Sequence, residues 1–234
     1  EVKNVNFTYE DQPEPVLHNI NFTIEEGDKV AILGRIGSGK TSLLRLICGL
    51  HPPDTGVVLI DNADIRQIRP RDVRANIGTV LQNPVLFSGT IRDNLLMGKP
   101  DATDEELLYA AKASGADSFI GLLPGGFDFP LSERGQELSA GMRQTIAIAR
   151  ALISKPNILL MDEPTASMDN ATEAQLVDRL QKATEDKTAI FVTHRGAMLK
   201  MANKVILMEK GRIMMAGPRD DVLAKLQGAA NDQG

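Results

Sequence analysis

The stretch Gly34-Arg35-Ile36-Gly37-Ser38-Gly39-Lys40-Thr41 constrains this chain more than any other feature. It follows the apolar run Lys29 to Leu33 and precedes an apolar segment, Thr41 to Gly49. Strand, glycine-rich loop and helix, in that order, make a phosphate-binding loop. Glycines let the backbone curl so that its N–H groups face an anion, and the helix N-terminus adds partial positive charge. The spacing directs Lys40 to the β- and γ-phosphates of a nucleotide and the Thr41 hydroxyl to Mg2+. The expected cradle comprises Gly34, Arg35, Ile36, Gly37, Ser38, Gly39, Lys40, Thr41 and Ser42.

The rest of the chain is read around that loop. Val5, Phe7 and Tyr9 alternate, as do Ile20, Phe22 and Ile24, with a Gln12-Pro13-Glu14-Pro15 turn between them. These read as strands, as do Val57 to Ile60 and Ile77 to Leu81. His51-Pro52-Pro53-Asp54 ends the first helix. The middle is helical. Asp104 to Ser114 is apolar at Leu107, Leu108 and Ala111, with Thr103 or Asp104 as its cap, and Ala116 to Leu123 reads as a second short helix. Strands then alternate with helices: Ile158 to Met161, Ala171 to Ala183, Thr188 to Thr193, Gly196 to Met201, Lys204 to Met208 and Arg212 to Ala216. Such alternation predicts a parallel sheet covered by helices on both faces.

Composition narrows the function. The net charge of -5 gives no general attraction to nucleic acid, so no nucleic-acid partner is expected. One cysteine, Cys48, excludes an internal disulfide. The longest apolar stretch, Thr145 to Ile153, is interrupted by Arg150 and is too short for a membrane span. The chain opens directly on strand-like sequence at Glu1, as a piece cut from a longer protein would.

Two further segments carry chemistry. The apolar strand Ile158 to Met161 ends in Asp162-Glu163, and ligands of open α/β sheets bind at the carboxyl ends of strands. Asp162 suits the Mg2+ shell, and Glu163 is placed to polarise an attacking water. Leu138-Ser139-Ala140-Gly141-Met142-Arg143-Gln144 opens a helix running to Ile153, with Ser139 as its natural N-cap.

The ordered series of phosphate loop, Gln82, Leu138 to Gln144, Asp162-Glu163, Ser167-Met168-Asp169 and His194 resembles an ABC-transporter ATP-binding domain over nearly the whole chain. The resemblance implies an α/β fold: a P-loop NTPase, RecA-like core with an N-terminal antiparallel β-subdomain (residues 1–82 and 151–234) and an α-helical signature subdomain (83–150). It implies ATP and Mg2+ as ligands and a head-to-tail dimer, with each ATP held between the phosphate loop of one copy and the signature of the other. By position, Tyr9 matches the aromatic residue that stacks on adenine. Gln82 matches the glutamine that reaches Mg2+ or the attacking water. Ser139, Ala140 and Gly141 match the signature groups that act in trans, Asp169 the residue linking the two sites, and His194 the switch histidine at the γ-phosphate. Glu163, His194, Gln82 and Lys40 form the implied catalytic set, and Thr41, Gln82 and Asp162 the Mg2+ set.

Phe87-Ser88-Gly89-Thr90-Ile91-Arg92-Asp93-Asn94 and Ser132-Glu133-Arg134-Gly135 resemble the exporter subclass. Gly34 to Gly37, Ile65 to Ile68 and Met168 to Glu173 resemble type I secretion ATPases. That subclass implies a membrane domain upstream in the same chain, a place on the cytoplasmic face of a bacterial inner membrane, an adaptor and an outer-membrane channel, and protein cargo. The alternatives are an exporter of lipid, peptide or drug, or a weakly hydrolysing regulatory module.

The signature departs from the family pattern at Ala140 and Met142, where glycine and glutamine are usual. Alanine restricts the backbone if φ is positive there, and Met142 cannot complete a capping box with Ser139. Both departures predict a weakened ATP sandwich.

Overall fold

The computed structural model describes residues 1–231. In chain order the first half runs β1 (Val2–Phe7), β2 (Leu17–Phe22), β3 (Lys29–Leu33), α1 (Lys40–Ile47), β4 (Thr55–Ile60), β5 (Ala63–Asp64), α2 (Pro70–Asn76), β6 (Ile77–Val80), β7 (Gly89–Thr90) and α3 (Ile91–Leu96). The second half runs α4 (Asp104–Ser114), α5 (Asp117–Ile120), β8 (Pro130–Leu131), α6 (Ala140–Leu152), β9 (Ile158–Asp162), α7 (Asn170–Ala183), β10 (Thr188–Val192), α8 (Gly196–Met201), β11 (Lys204–Glu209), β12 (Arg212–Pro218) and α9 (Arg219–Asn231).

The central sheet has the order β12-β11-β3-β10-β9-β6. Five of its strands are parallel, and β12 returns antiparallel to β11 at one edge. The expectation of a purely parallel sheet is therefore corrected. The connection from Glu209 to Arg212 is a two-residue turn, Lys210-Gly211, with positive φ at both positions, and a turn that tight can only make a hairpin. Tyr9 and Ile24 lie beyond the ends of β1 and β2, and the expected helix over Ala116 to Leu123 shortens to α5. A second sheet, β2-β1-β4-β5, is antiparallel throughout.

Successive residues of the central strands face opposite sides. Val30, Ile32, Leu160, Ile190 and Val192 join α1 and the antiparallel sheet in one apolar cluster. Ala31, Leu159, Met161, Ala189 and Phe191 join α6, α7 and α8 in another. Burial on both faces explains why these strands read as continuous apolar runs.

Helix α6 belongs to two clusters. Ala147, Ile148, Ala151 and Leu152 pack toward the central sheet. Ile146, Ala149 and Ile153 pack with Leu86, Ile91, Leu95, Leu107 and Phe119 in a third cluster made of the helices from the middle of the chain. Those helices and the central sheet therefore share α6, whose N-cap is Ser139.

Candidate nucleotide-binding site

Strand register assembles the site. Val192 lies beside Asp162 and beside Ile32, and Val80 lies beside Met161. The chain therefore leaves β3 into the glycine loop, β9 into Glu163, β10 into Thr193-His194 and β6 into Gln82 along one edge of the sheet. That edge is the carboxyl end of the strands, where open α/β sheets bind ligands.

The loop wraps its own lysine. Lys40 is buried, and its Nζ donates to the carbonyls of Gly34 at 2.7 Å and Arg35 at 2.9 Å. Burial lowers the affinity of this ammonium for its proton, while Glu163 and Asp162 nearby oppose that shift. Gly34 is required by contact, because a Cβ there would collide with the Met208 carbonyl and lie 2.6 Å from Ser38 Oγ. Gly39 adopts φ 95°, and a Cβ on it would meet Leu17 at 2.7 Å. Arg35, Ile36 and Gly37 form the exposed crest of the loop. From Gly39 to Ser42 the backbone N–H groups have no acceptor among the described residues, as the first turn of a helix dictates. Four converging donors and a buried ammonium fit a polyphosphate.

The Thr41 hydroxyl donates to Asp162 Oδ2 at 2.6 Å. Burial pushes the Asp162 carboxyl above its usual range, against the Thr41 bond, and the charge of Glu163 adds to the rise. Among the described residues no group of three His, Cys, Asp or Glu could hold a metal unaided. A hydroxyl, one carboxylate and substrate phosphates are nevertheless the donor set that suits Mg2+.

A raised folded-state pKa means that the folded chain loses stability as pH climbs from the ordinary carboxylate range through the raised value, and the loss persists above it. Asp162→Asn is therefore expected to raise the melting temperature of the nucleotide-free chain at neutral pH. It should also abolish the extra stabilisation that Mg2+ adds to ATP. Thermal melts with and without Mg-ATP check both signs; a lowered melting temperature without nucleotide refutes the first.

Glu163 adopts φ 48°, a left-handed conformation that costs a non-glycine residue about 1–2 kcal/mol. Its N–H still donates to Val192 O at 3.0 Å, so the strand pairing runs to its limit before the backbone turns. The turn sets Glu163 Oε2 at 3.0 Å from Gln82 Nε2, and Oε1 at 3.5 Å from His194 Nε2. Lys40, Thr41, Gln82, Asp162, Glu163 and His194 thus converge on one edge.

Of the other expected residues, Tyr9 adjoins the cradle, and the signature residues line a second cleft. Tyr9 Oη is 3.0 Å from Ser42 Oγ and accepts from Arg45 at 3.3 Å, while its ring packs edge-on against Phe7 and His51. This anchoring holds Tyr9 beside the start of α1. Ser139, Ala140 and Gly141 share a 340 Å³ cleft with Ser167 and Asp169. Ser139 Oγ accepts from Met142 N at 3.2 Å, so half of a capping box is present. Ala140 occupies the first turn of α6 without positive φ, so the expected backbone restriction does not arise. Asp169 caps α7, accepting from the N–H groups of Ala171 and Thr172 and from the Thr172 hydroxyl, which holds its carboxyl below the usual range.

Reading the sequence missed several supports. Asn94 is fully buried and staples Phe87, accepting from its N–H and donating to its carbonyl. Arg143 donates to the carbonyls of Leu138 and Gly135, fixing the segment before α6. Arg195 reaches the loop between Glu163 and Asp169. The partners of Asn94 and Arg143 lie within 8 residues of them in the chain, whereas those of Arg195 are brought in by the fold. Two cavities flank the site on the side of Gln82. One of 670 Å³ is lined by Gln82, Phe87, Glu133, Arg134 and Gln144. The other, of 580 Å³, is rimmed by the exposed apolar residues Leu81, Val85, Phe87 and Met97.

Residues 17–166 match the family described as ABC transporter. The putative multidrug export ATP-binding/permease protein YgaD of Bacillus subtilis (strain 168) is 40% identical over 95% of this chain and 38% of its own length. A putative multidrug export ATP-binding/permease protein of Staphylococcus aureus (strain bovine RF122 / ET3-1) is 38% identical over 98% of this chain and 39% of its own. The structure of a bacterial Atm1-family ABC exporter with ATP bound superimposes with a TM-score of 0.90 at 35% identity, covering 96% of this chain and 39% of that one. The chain thus spans about two-fifths of the length of these relatives.

Proposed function

The chain belongs to the ABC transporter family as its ATP-binding, ATP-hydrolysing domain, and from that premise we propose that it works as the motor of an exporter. The single observation that supports this most is the convergence of Lys40, Thr41, Asp162, Glu163, Gln82 and His194 on one sheet edge, with Ser139 and Asp169 lining a separate cleft. One copy then holds a nucleotide on one side only. A second copy, turned head to tail, supplies Ser139 and Gly141 to close it.

In this reading the N–H groups of Gly39 to Ser42 and the Lys40 ammonium bind the phosphates. Thr41 and Asp162, with Gln82 at the edge, hold Mg2+, which when bound neutralises charge on the transferring phosphate. Glu163 orients a water and accepts its proton, and His194 steadies that carboxylate and the γ-phosphate. Positioning and charge neutralisation do most of the catalytic work in such reactions. Water attacks in line, the bond to the β-phosphate oxygen breaks, and loss of the γ-phosphate releases the partner's signature.

The two cavities near Gln82 and Glu133, with their exposed apolar rim, support a docking surface for a membrane domain of the same full-length chain. No helix among the described residues is itself long and apolar enough to cross a membrane. The place proposed is the cytoplasmic face of a bacterial inner membrane. For cargo, the names of the relatives favour small drug-like molecules. Protein cargo, with an adaptor and an outer-membrane channel, rests only on the three stretches that resemble type I secretion ATPases.

Steady-state phosphate release from Mg-ATP tests the enzyme reading. Expected is saturable turnover whose specific rate rises with chain concentration. A single turnover that then stops would favour the regulatory module instead. Since Ala140 causes no backbone strain, the weakening expected of the signature rests on its added methyl group at the partner-facing surface and on the incomplete cap at Met142. Ala140→Gly with Met142→Gln should raise turnover or dimer affinity by about threefold, the effect of completing one helix cap. No change in either quantity refutes that weakening.

A further inference from the structure

The loop after β9 runs from Glu163 through Thr165, Ala166, Ser167 and Met168 to Asp169. Met168 is buried, and the buried Thr165 hydroxyl donates to Glu173 Oε1 at 3.1 Å. Arg195, the neighbour of His194, approaches the same loop. Its Nη2 donates to the carbonyls of Met168 at 3.0 Å and Ala166 at 3.3 Å. Its Nη1 donates to Asn170 Oδ1 at 3.3 Å and lies 3.6 Å from Glu173 Oε2. The Glu173 side chain is 5% exposed, and a carboxylate that deep requires a charged partner and hydrogen bonds. Only the planar fork of a guanidinium can meet two carbonyls, an amide and a carboxylate together. Among the described residues, neither Arg195 nor Glu173 hydrogen-bonds any group of the phosphate cradle.

We infer that Arg195 and Glu173 form a brace that fixes His194 and the Ala166–Asp169 turn as one unit, making Arg195 a positioning residue for hydrolysis. The inference rests on the reading above, in which His194 faces the nucleotide of its own copy and the Ser167–Asp169 turn faces the partner. Contact of the turn with a second copy then reaches His194 through one side chain. Without the brace the two segments settle independently, and the catalytic geometry loosens while the cradle is unchanged.

The double variant Arg195→Met, Glu173→Gln removes both charges together and leaves no buried carboxylate unpaired. Affinity for a fluorescent ATP analogue is expected to stay within about twofold of the parent chain, while kcat falls roughly tenfold to a hundredfold with KM little changed, the scale of a small misplacement of catalytic groups. Arg195→Lys keeps a cation beside Glu173 but loses the fork. It should show the same split, and it serves if the double variant melts early. Parental kcat in a folded variant overturns the brace, and so does an equal loss of affinity and turnover. Glu163→Gln, measured alongside, separates the two levels. If it turns over at the parental rate, the site reading falls and the brace with it. If it is inactive while the Arg195 variants are fully active, only the brace falls.

Discussion

Glu163→Gln is expected to lower ATP turnover about a thousandfold, within the range general-base groups contribute, while ATP binding is retained. The substitution is isosteric. The new amide can still accept from Gln82 Nε2, which lies 3.0 Å from the native carboxylate, so the edge keeps its shape. What is lost is the negative charge that polarises water and receives its proton. The left-handed backbone at Glu163 aims the carboxylate at Gln82 and His194, and glutamine inherits the same backbone. Trapped before hydrolysis, the variant should accumulate as an ATP-bound pair of copies, seen as a doubling of mass by light scattering. Parental turnover would show that another group activates the water.

Lys40→Met is expected to weaken Mg-ATP binding about a hundredfold and to abolish turnover. Hydrogen bonds to charged groups contribute about 1.5–3 kcal/mol each, and about 2.7 kcal/mol is a hundredfold in affinity. Two effects add. The phosphates lose their buried cation, and the carbonyls of Gly34 and Arg35 lose the donor that curls the loop. Methionine fills a similar volume, so the helix behind should persist. Calorimetric titration with Mg-ATP measures the change, and unaltered affinity would remove Lys40 from the phosphate contacts.

Much of this architecture is visible in the residues alone. The run from Lys29 to Leu33, the glycine loop and the helix behind it follow from apolar patterning and spacing. The helix from Asp104 to Ser114 announces itself through Thr103 and Glu106, which form a reciprocal capping box. A weaker form of that signal, Thr90 with Asp93, marks α3, but six residues give too little periodicity to stand out. Helix α2 is similarly short, although Pro70 in its first turn is a start signal. The direction of β12 lay in the dipeptide Lys210-Gly211, a hairpin turn hidden between two apolar strands. The candidate site divides along the same line. Lys40, Thr41, Asp162 and Glu163 are signalled locally, and Tyr9, Gln82, Ser139, Asp169 and His194 take their meaning from the family resemblance, whereas the left-handed turn at Glu163, the Tyr9 anchor on Ser42 and the reach of Arg195 depend on distant strands meeting.

The central claim is that ATP is hydrolysed between two copies, with the phosphate loop of one and Ser139 of the other. Mixing Lys40→Met chains with Ser139→Phe chains tests it most directly, because only a mixed pair unites an intact loop with an intact signature. Each variant alone should release phosphate only at background, and the mixture should regain turnover that peaks near equal amounts. A mixture no more active than the sum of its parts, or a Ser139→Phe chain that hydrolyses ATP at the parental rate by itself, would contradict the shared site.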